Sequence, residues 1–112
     1  MGIARAAYEY ALDYAKERVA FGRPIIENQG IACELADLKL EIHAGRVLVW
    51  RACWMAATKQ PFTNGEGSMS KLKAGEVAVK ATEDAIQILG GDGYTGVPGR
   101  AVAPRLEDRR PL

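Results

Sequence analysis

Apolar residues along this chain recur at spacings of three and four, and the pattern divides into three helical segments. The first runs from about residue 2 to residue 19, with Ile3, Ala7, Tyr10 and Tyr14 on one face. Phe21-Gly22-Arg23-Pro24 should end it, because Gly and Pro both oppose continuation of a helix. The second runs from about residue 28 to residue 59, with Asn28 as N-cap. One stripe holds Ile31, Leu35, Leu38, Ile42, Gly45, Val49, Ala52 and Ala56. A second holds Cys33, Leu40, Ala44, Val47 and Trp54. Two apolar sides imply a helix packed on two sides. Gly30 and Gly45 inside it each cost roughly 1 kcal/mol against Ala, which a close approach by a neighbouring helix at Gly45 would explain.

The stretch from Gln60 to Gly65 breaks the pattern, and a third helix follows from about residue 66 to residue 89. Leu72, Gly75, Val79, Thr82, Ile86 and Leu89 form one stripe; Ala74, Ala78, Ala81, Ala85 and Ile88 form another. Gly90-Gly91 stops it. No segment has a strand pattern. The predicted fold is all-α: three long helices of an up-down bundle. Residues 1–95 form the domain, and residues 96–112, with Pro98, Pro104 and four arginines, form an irregular tail that does not supply a fourth helix.

Composition narrows the partners. Hydrophobic residues make up 48% of 112, which excludes a disordered chain. Lys plus Arg number 15 against 14 Asp plus Glu, so charge gives no reason to expect nucleic acid or an anionic membrane. There is no apolar run of roughly 18 residues to span a bilayer and no secretory signal pattern. Cys33 and Cys53 lie about 30 Å apart on one helix, too far for a disulfide. They read as core or near-core thiols of a reducing compartment, cytoplasm or mitochondrial matrix. His43 stands ten residues from either, which is no ligand spacing, so no metal site is expected.

The candidate chemistry is sparse. Gly91-Asp92-Gly93-Tyr94-Thr95-Gly96 fits G-x-G-x-x-G, but the dinucleotide fingerprint needs a strand before it and a helix after it. Here a helix precedes and a Pro-rich stretch follows. Glu66, Glu76, Glu83 and Asp84 read as a solvated helix face. Trp50, Trp54 and Tyr14 read as core or interface packing. One histidine without partners makes no Ser/His/Asp set. No catalytic residue is assigned.

Two segments carry more. Tyr14-Ala15-Lys16-Glu17-Arg18 through Phe21-Gly22-Arg23-Pro24-Ile25 resembles the Y-A-x-x-R-x-x-F-G-x-P-I signature of the acyl-CoA dehydrogenase family, with Gln29 at its usual glutamine. Leu35-Ala36-Asp37 is similar to the L-A-D-M that follows. Ala85 to Gly91 with Gly93-Tyr94 resembles A-x-Q-I-L-G-G-x-G-Y. The segments agree in order and spacing over about residues 2–95.

The resemblance implies the C-terminal helical domain of that family, incomplete here, with FAD held between subunits of a dimer and two dimers usually forming a tetramer. It matches Arg18 to an arginine reaching the FAD pyrophosphate of a neighbouring subunit, which suits a forked, always-charged guanidinium. Phe21 matches an aromatic near the adenosine, with Asn28 and Gln29 beside it. Gln87, Ile88, Leu89, Gly90 and Gly91 match a helix end packed on the same cofactor. At Ala20 many members carry a polar side chain, so one hydrogen bond to the flavin is expected to be missing. The family reaction is α,β-dehydrogenation of an acyl-CoA thioester, with electrons passed on to an electron-transferring flavoprotein. Its catalytic glutamate falls in stretches this chain does not match. The alternative is a non-enzymatic helical interaction module, or an inactive relic, that binds no flavin.

Overall fold

A computed structural model describes residues 1–95. Three long helices carry the architecture: α1 (Gly2–Glu17), α2 (Gln29–Ala57) and α3 (Glu66–Leu89). Between α1 and α2 lie two short strands, β1 (Val19–Ala20) and β2 (Arg23–Pro24), and a 3-10 turn (Ile25–Glu27). A short helix, α4 (Gly91–Tyr94), follows α3. The up-down order holds. The α2–α3 pair is antiparallel, since Lys73 ion-pairs with Glu41 in the middle of α2 whereas Glu66, at the start of α3, feels the charge of Arg51 toward the end of α2. α1 and α3 run parallel, since Met1 meets Gly45, which lies against Lys73 in the first half of α3, whereas Tyr14 bonds to Asp92 just past the end of α3. Among the described residues no helix is long and apolar enough to cross a membrane.

The core corrects the expected face of α1. The residues it buries are Ala4, Ala7, Ala11 and Ala15, all at 0–1% exposure, while Ile3, Tyr10 and Tyr14 are only half-buried at the flanks. The physical reason is close approach. A ridge of methyl groups lets the backbone of α3 come near, and larger side chains are displaced to either side. Val77, Ala81, Ala85 and Ile88 of α3 belong to the same core cluster, as do Leu35, Leu38 and Ile42 of α2. In α3 the alanine stripe therefore faces inward. Leu72 and Val79 of the other stripe are exposed along an open groove of about 860 Å³, lined also by Ser68, Gly75 and Glu83.

Several boundaries and roles differ from expectation. α1 stops at Glu17, before Val19, because Arg18 is extended (φ −69, ψ 118) and the chain turns into a two-stranded ribbon. Val19 pairs with Pro24 and Ala20 with Arg23. Phe21 (φ 54) and Gly22 (φ 82) form its turn, with the two positive φ angles of a primed hairpin. Strands of two residues are too short to leave an alternating pattern. Cys33 and Cys53 are exposed rather than near the core, because both fall outside the Leu35/Leu38/Ile42 face. Gly45 is buried, but it is the Met1 side chain that crowds it: an added Cβ would lie 3.0 Å from Met1 Cε. At Gly30 an added Cβ would meet nothing within 4 Å, so packing gives that glycine no role.

Glu66 does not belong to a solvated face. It is 7% exposed and accepts hydrogen bonds from the Asn64 backbone N–H (3.1 Å) and Asn64 Nδ2 (3.2 Å) at the start of α3. These bonds, with its own backbone N–H foremost, hold its carboxyl below the usual range. At the other end, α3 stops where expected. Gly90 takes φ 57 and its N–H reaches Ile86 and Gln87 carbonyls at 3.1 Å. The expected irregular tail at residues 96–112 lies outside the described residues.

Candidate functional site

The α1–α2 corner places four of the sequence-predicted site residues. Arg18 is held by its backbone on both sides: its N–H donates to the Tyr14 carbonyl (2.8 Å) and its carbonyl accepts from Ile25 N–H (2.9 Å). Its side chain is exposed, and its guanidinium has no hydrogen-bond or ion-pair partner among the described residues. Phe21, at the ribbon tip, is 101% exposed. Asn28 begins α2 as expected, but its side chain does not cap the helix. Asn28 Nδ2 donates to the Ile25 carbonyl (3.1 Å), and Arg23 Nη2 donates to Asn28 Oδ1 (3.0 Å). That leaves the first N–H groups of a 29-residue helix open beside exposed Gln29. A helix N-terminus favours negative charge, as does Arg18.

The end of α3 contributes differently from what the motif suggested. Ile88 and Leu89 are 8% and 4% exposed, so their side chains belong to the core. What this end presents outward is the Gln87 side chain and the backbone of Gly90 and Gly91. An added Cβ at either glycine would meet nothing within 4 Å, so the space beside them is open.

The two groups lie at one end of the bundle. Ala15, Ile25 and Ile88 share the core cluster beneath them. Above it, Tyr14 Oη donates to Asp92 Oδ2 at 2.8 Å, joining the last turn of α1 to α4. This bond raises the Tyr14 pKa above its ordinary value, with burial second, while the nearby positive charge of Arg18 opposes the shift. In the sequence Tyr14 reads as packing and as the first residue of the family-like motif, and Asp92 as part of a glycine motif that lacks its strand. A contact between residues 78 positions apart leaves no local signal. The glycine motif itself directly follows helix α3 rather than a strand. The described residues also hold no cluster of His, Cys, Asp and Glu that could bind a metal. Trp50 and Trp54 are exposed, at 63% and 56%, so they pack in no core formed by the described residues; the Arg46 guanidinium lies 5.9 Å from the Trp50 ring centroid.

Comparison with known proteins gives the same direction throughout. The family described as "Acyl-CoA dehydrogenase, C-terminal domain" matches residues 1–108, further than the quoted motifs carry the resemblance. The short-chain specific mitochondrial acyl-CoA dehydrogenase of Bos taurus is 47% identical over 94 residues, which cover 84% of this chain and 23% of that protein. Butyryl-CoA dehydrogenase from Megasphaera elsdenii superposes with a TM-score of 0.86 at 40% identity, over 96% of this chain and 27% of the other. A structure described as an electron transferring flavoprotein of Acidaminococcus fermentans gives a TM-score of 0.88 at 36% identity, over 95% of this chain and 28% of the other. The chain thus spans about a quarter of the length of the relatives it matches. With the bundle, both motif segments and these likenesses agreeing, the chain belongs to the acyl-CoA dehydrogenase family, matching its C-terminal domain.

Proposed function

We propose that this domain contacts the FAD of an acyl-CoA dehydrogenase and packs its subunits together. The observation that carries the reading is the α1–α2 corner. A guanidinium without a protein partner stands there with an exposed phenylalanine held at positive φ. A non-glycine residue in the left-handed region costs about 1 kcal/mol. Leaving a phenylalanine ring in water forgoes a further ~1.5–3 kcal/mol of burial. Both costs make sense if a ligand with an anionic centre and flat rings covers the corner. The residues fit such a group. Arg18 and the α2 N-terminus offer positive potential, Asn28 and Gln29 offer polar side chains, and Gly90 and Gly91 leave room for close backbone approach.

Bound FAD supplies the two-electron acceptor for α,β-dehydrogenation of an acyl-CoA thioester. Within that reaction this chain's described residues bind and orient; none is proposed as the base that removes the substrate α-proton. An electron-transferring flavoprotein is the proposed oxidant of the reduced enzyme.

The test is Arg18→Ala in the intact enzyme. Loss of one charge-assisted contact costs on the order of 1.5–3 kcal/mol, so FAD should bind roughly 10- to 150-fold more weakly. The bundle should stay folded by circular dichroism, because the Arg18 side chain supports no packing. FAD affinity equal to wild type would remove Arg18 from the site.

A further inference from the structure

The two halves of the candidate site come from distant parts of the sequence: Arg18 follows α1, whereas Gly90 and Gly91 follow α3. Beneath them Ala15 and Ile88 share the core, but apolar packing is non-directional and fixes no register between two helix ends. The second half is also the harder to order. Gly90, Gly91 and Gly93 stand close together, and Gly90 takes φ 57. Glycine loses more conformational freedom on ordering than any other residue. α4 is a single turn, and the Thr95 hydroxyl at its end donates only to the Gly91 carbonyl (3.1 Å), within the same turn.

One directional contact spans the two halves. Among the described residues the side-chain hydrogen bonds that link separate helices are Lys73 to Glu41, well away from this end, and Tyr14 Oη to Asp92 Oδ2 (2.8 Å), at it. Tyr14 holds both sides. Its carbonyl accepts the Arg18 backbone N–H (2.8 Å), which sets where the chain leaves α1. Its hydroxyl donates to Asp92, directly after Gly91. One residue thus fixes Arg18 through its main chain and the Gly90–Gly91 backbone through its side chain. Asp92 is exposed, and a free carboxylate there would add negative charge beside a corner suited to an anion. The phenol holds one of its oxygens against α1 by a charge-assisted bond.

We propose that Tyr14 and Asp92 are positioning residues for the flavin: their bond holds the Arg18 corner and the Gly90–Gly91 backbone at a fixed separation, for one dinucleotide to bridge. The proposal rests on the flavin-contacting reading above. Neither residue is assigned a contact with the flavin; each acts through its chain neighbours. Ordering the two halves before the ligand arrives takes that cost out of the binding step and so raises affinity.

FAD titration of the intact enzyme tests it. Tyr14→Phe keeps the ring and loses the bond, so FAD should bind about two- to tenfold more weakly. Asp92→Ala should do the same. The double variant Y14F/D92A should be no worse than either single, because all three remove one bond. Asp92→Asn keeps an acceptor for the Tyr14 hydroxyl and should retain most of the wild-type affinity. In the full 112-residue chain without flavin, Tyr14→Phe should speed amide exchange at Gly91 to Tyr94. If Asp92→Ala unfolds by circular dichroism, Tyr14→Phe and Asp92→Asn decide. Tighter FAD binding in both Asp92 variants would make Asp92 a repelling charge and overturn the proposal. So would wild-type affinity in Tyr14→Phe, additive losses in the double variant, a loss in Asp92→Asn as large as in Asp92→Ala, or unchanged exchange. Arg18→Ala separates the two readings. If it weakens binding and Tyr14→Phe does not, positioning fails while flavin contact stands. If Arg18→Ala binds FAD like the wild type, Arg18 leaves the site and the pair has nothing to position.

Discussion

Ala11→Leu isolates the physical basis of the α1–α3 contact. Ala11 is 0% exposed, in line with Ala4, Ala7 and Ala15, and shares a core cluster with Val77, Ala81, Ala85 and Ile88. Leucine is as good a helix former as most residues, so propensity changes little. If space existed, the three added carbons would bury at roughly 0.8 kcal/mol each and stabilise by about 2.4 kcal/mol. A methyl ridge set against another helix leaves no such space, so the helices must separate, at a net cost of about 1–3 kcal/mol. The opposite change, Ala11→Gly, loses one buried methyl (about 0.8 kcal/mol) and about 1 kcal/mol of helix propensity. Both directions of size change should therefore destabilise, by about 2 kcal/mol each. For a domain near this size that lowers Tm by roughly 8–16 °C. Thermal and urea unfolding followed by circular dichroism, at matched protein concentration because association shifts apparent stability, reads the effect. An Ala11→Leu variant that melts at or above the wild-type temperature would show a gap between α1 and α3 and refute the close-approach account.

Gly93→Ala should be costly for a different reason: the new Cβ would lie 2.8 Å from the Ile86 carbonyl oxygen and 3.1 Å from Leu89 Cβ. A loss of about 1–3 kcal/mol is expected in urea unfolding, and an unchanged midpoint would mean that α4 simply shifts away. The Tyr14–Asp92 bond requires the protonated phenol. With the folded pKa raised above 10.0, its contribution is complete below that value and is lost as pH rises through the folded pKa. Tyr14→Phe should therefore differ from wild type at neutral pH and converge with it in strong alkali, as judged by amide exchange at residues 90–95. Glu66 runs the other way. Its folded pKa is depressed below 4.5, so its contribution is present above that value and is lost as pH falls through the folded pKa. Glu66→Gln should flatten the acid limb of the stability–pH curve and leave the alkaline limb unchanged.

Much of the domain is local, and what is local could be read from the residues. The three helices, the Asn28 start of α2 and the Gly90 stop of α3 follow from three-and-four periodicity and from single residues with restricted or permissive backbones. Those signals act within a turn or two and do not depend on what packs nearby. The motif around Arg18 and Gly90 was legible for the same reason, as order and spacing along the chain. Which face of each helix turns inward was not local. In α1 the large residues Ile3, Tyr10 and Tyr14 marked one face by hydrophobicity, whereas the parallel approach of α3 selected the alanines, the only side chains short enough for that distance. In α2 two stripes are equally apolar in sequence; only the position of α1 and α3 decides that Leu35 and Leu38 are covered while Leu40, Val47 and Trp54 are exposed among the described residues. Glu66 looked like any surface carboxylate until the turn at Asn64 folded over it. Tyr14 and Asp92 met because two parallel helices end at the same level. Periodicity states which residues share a side of a helix, but the choice between sides is made by distances to other elements, and those exist only once the chain has folded.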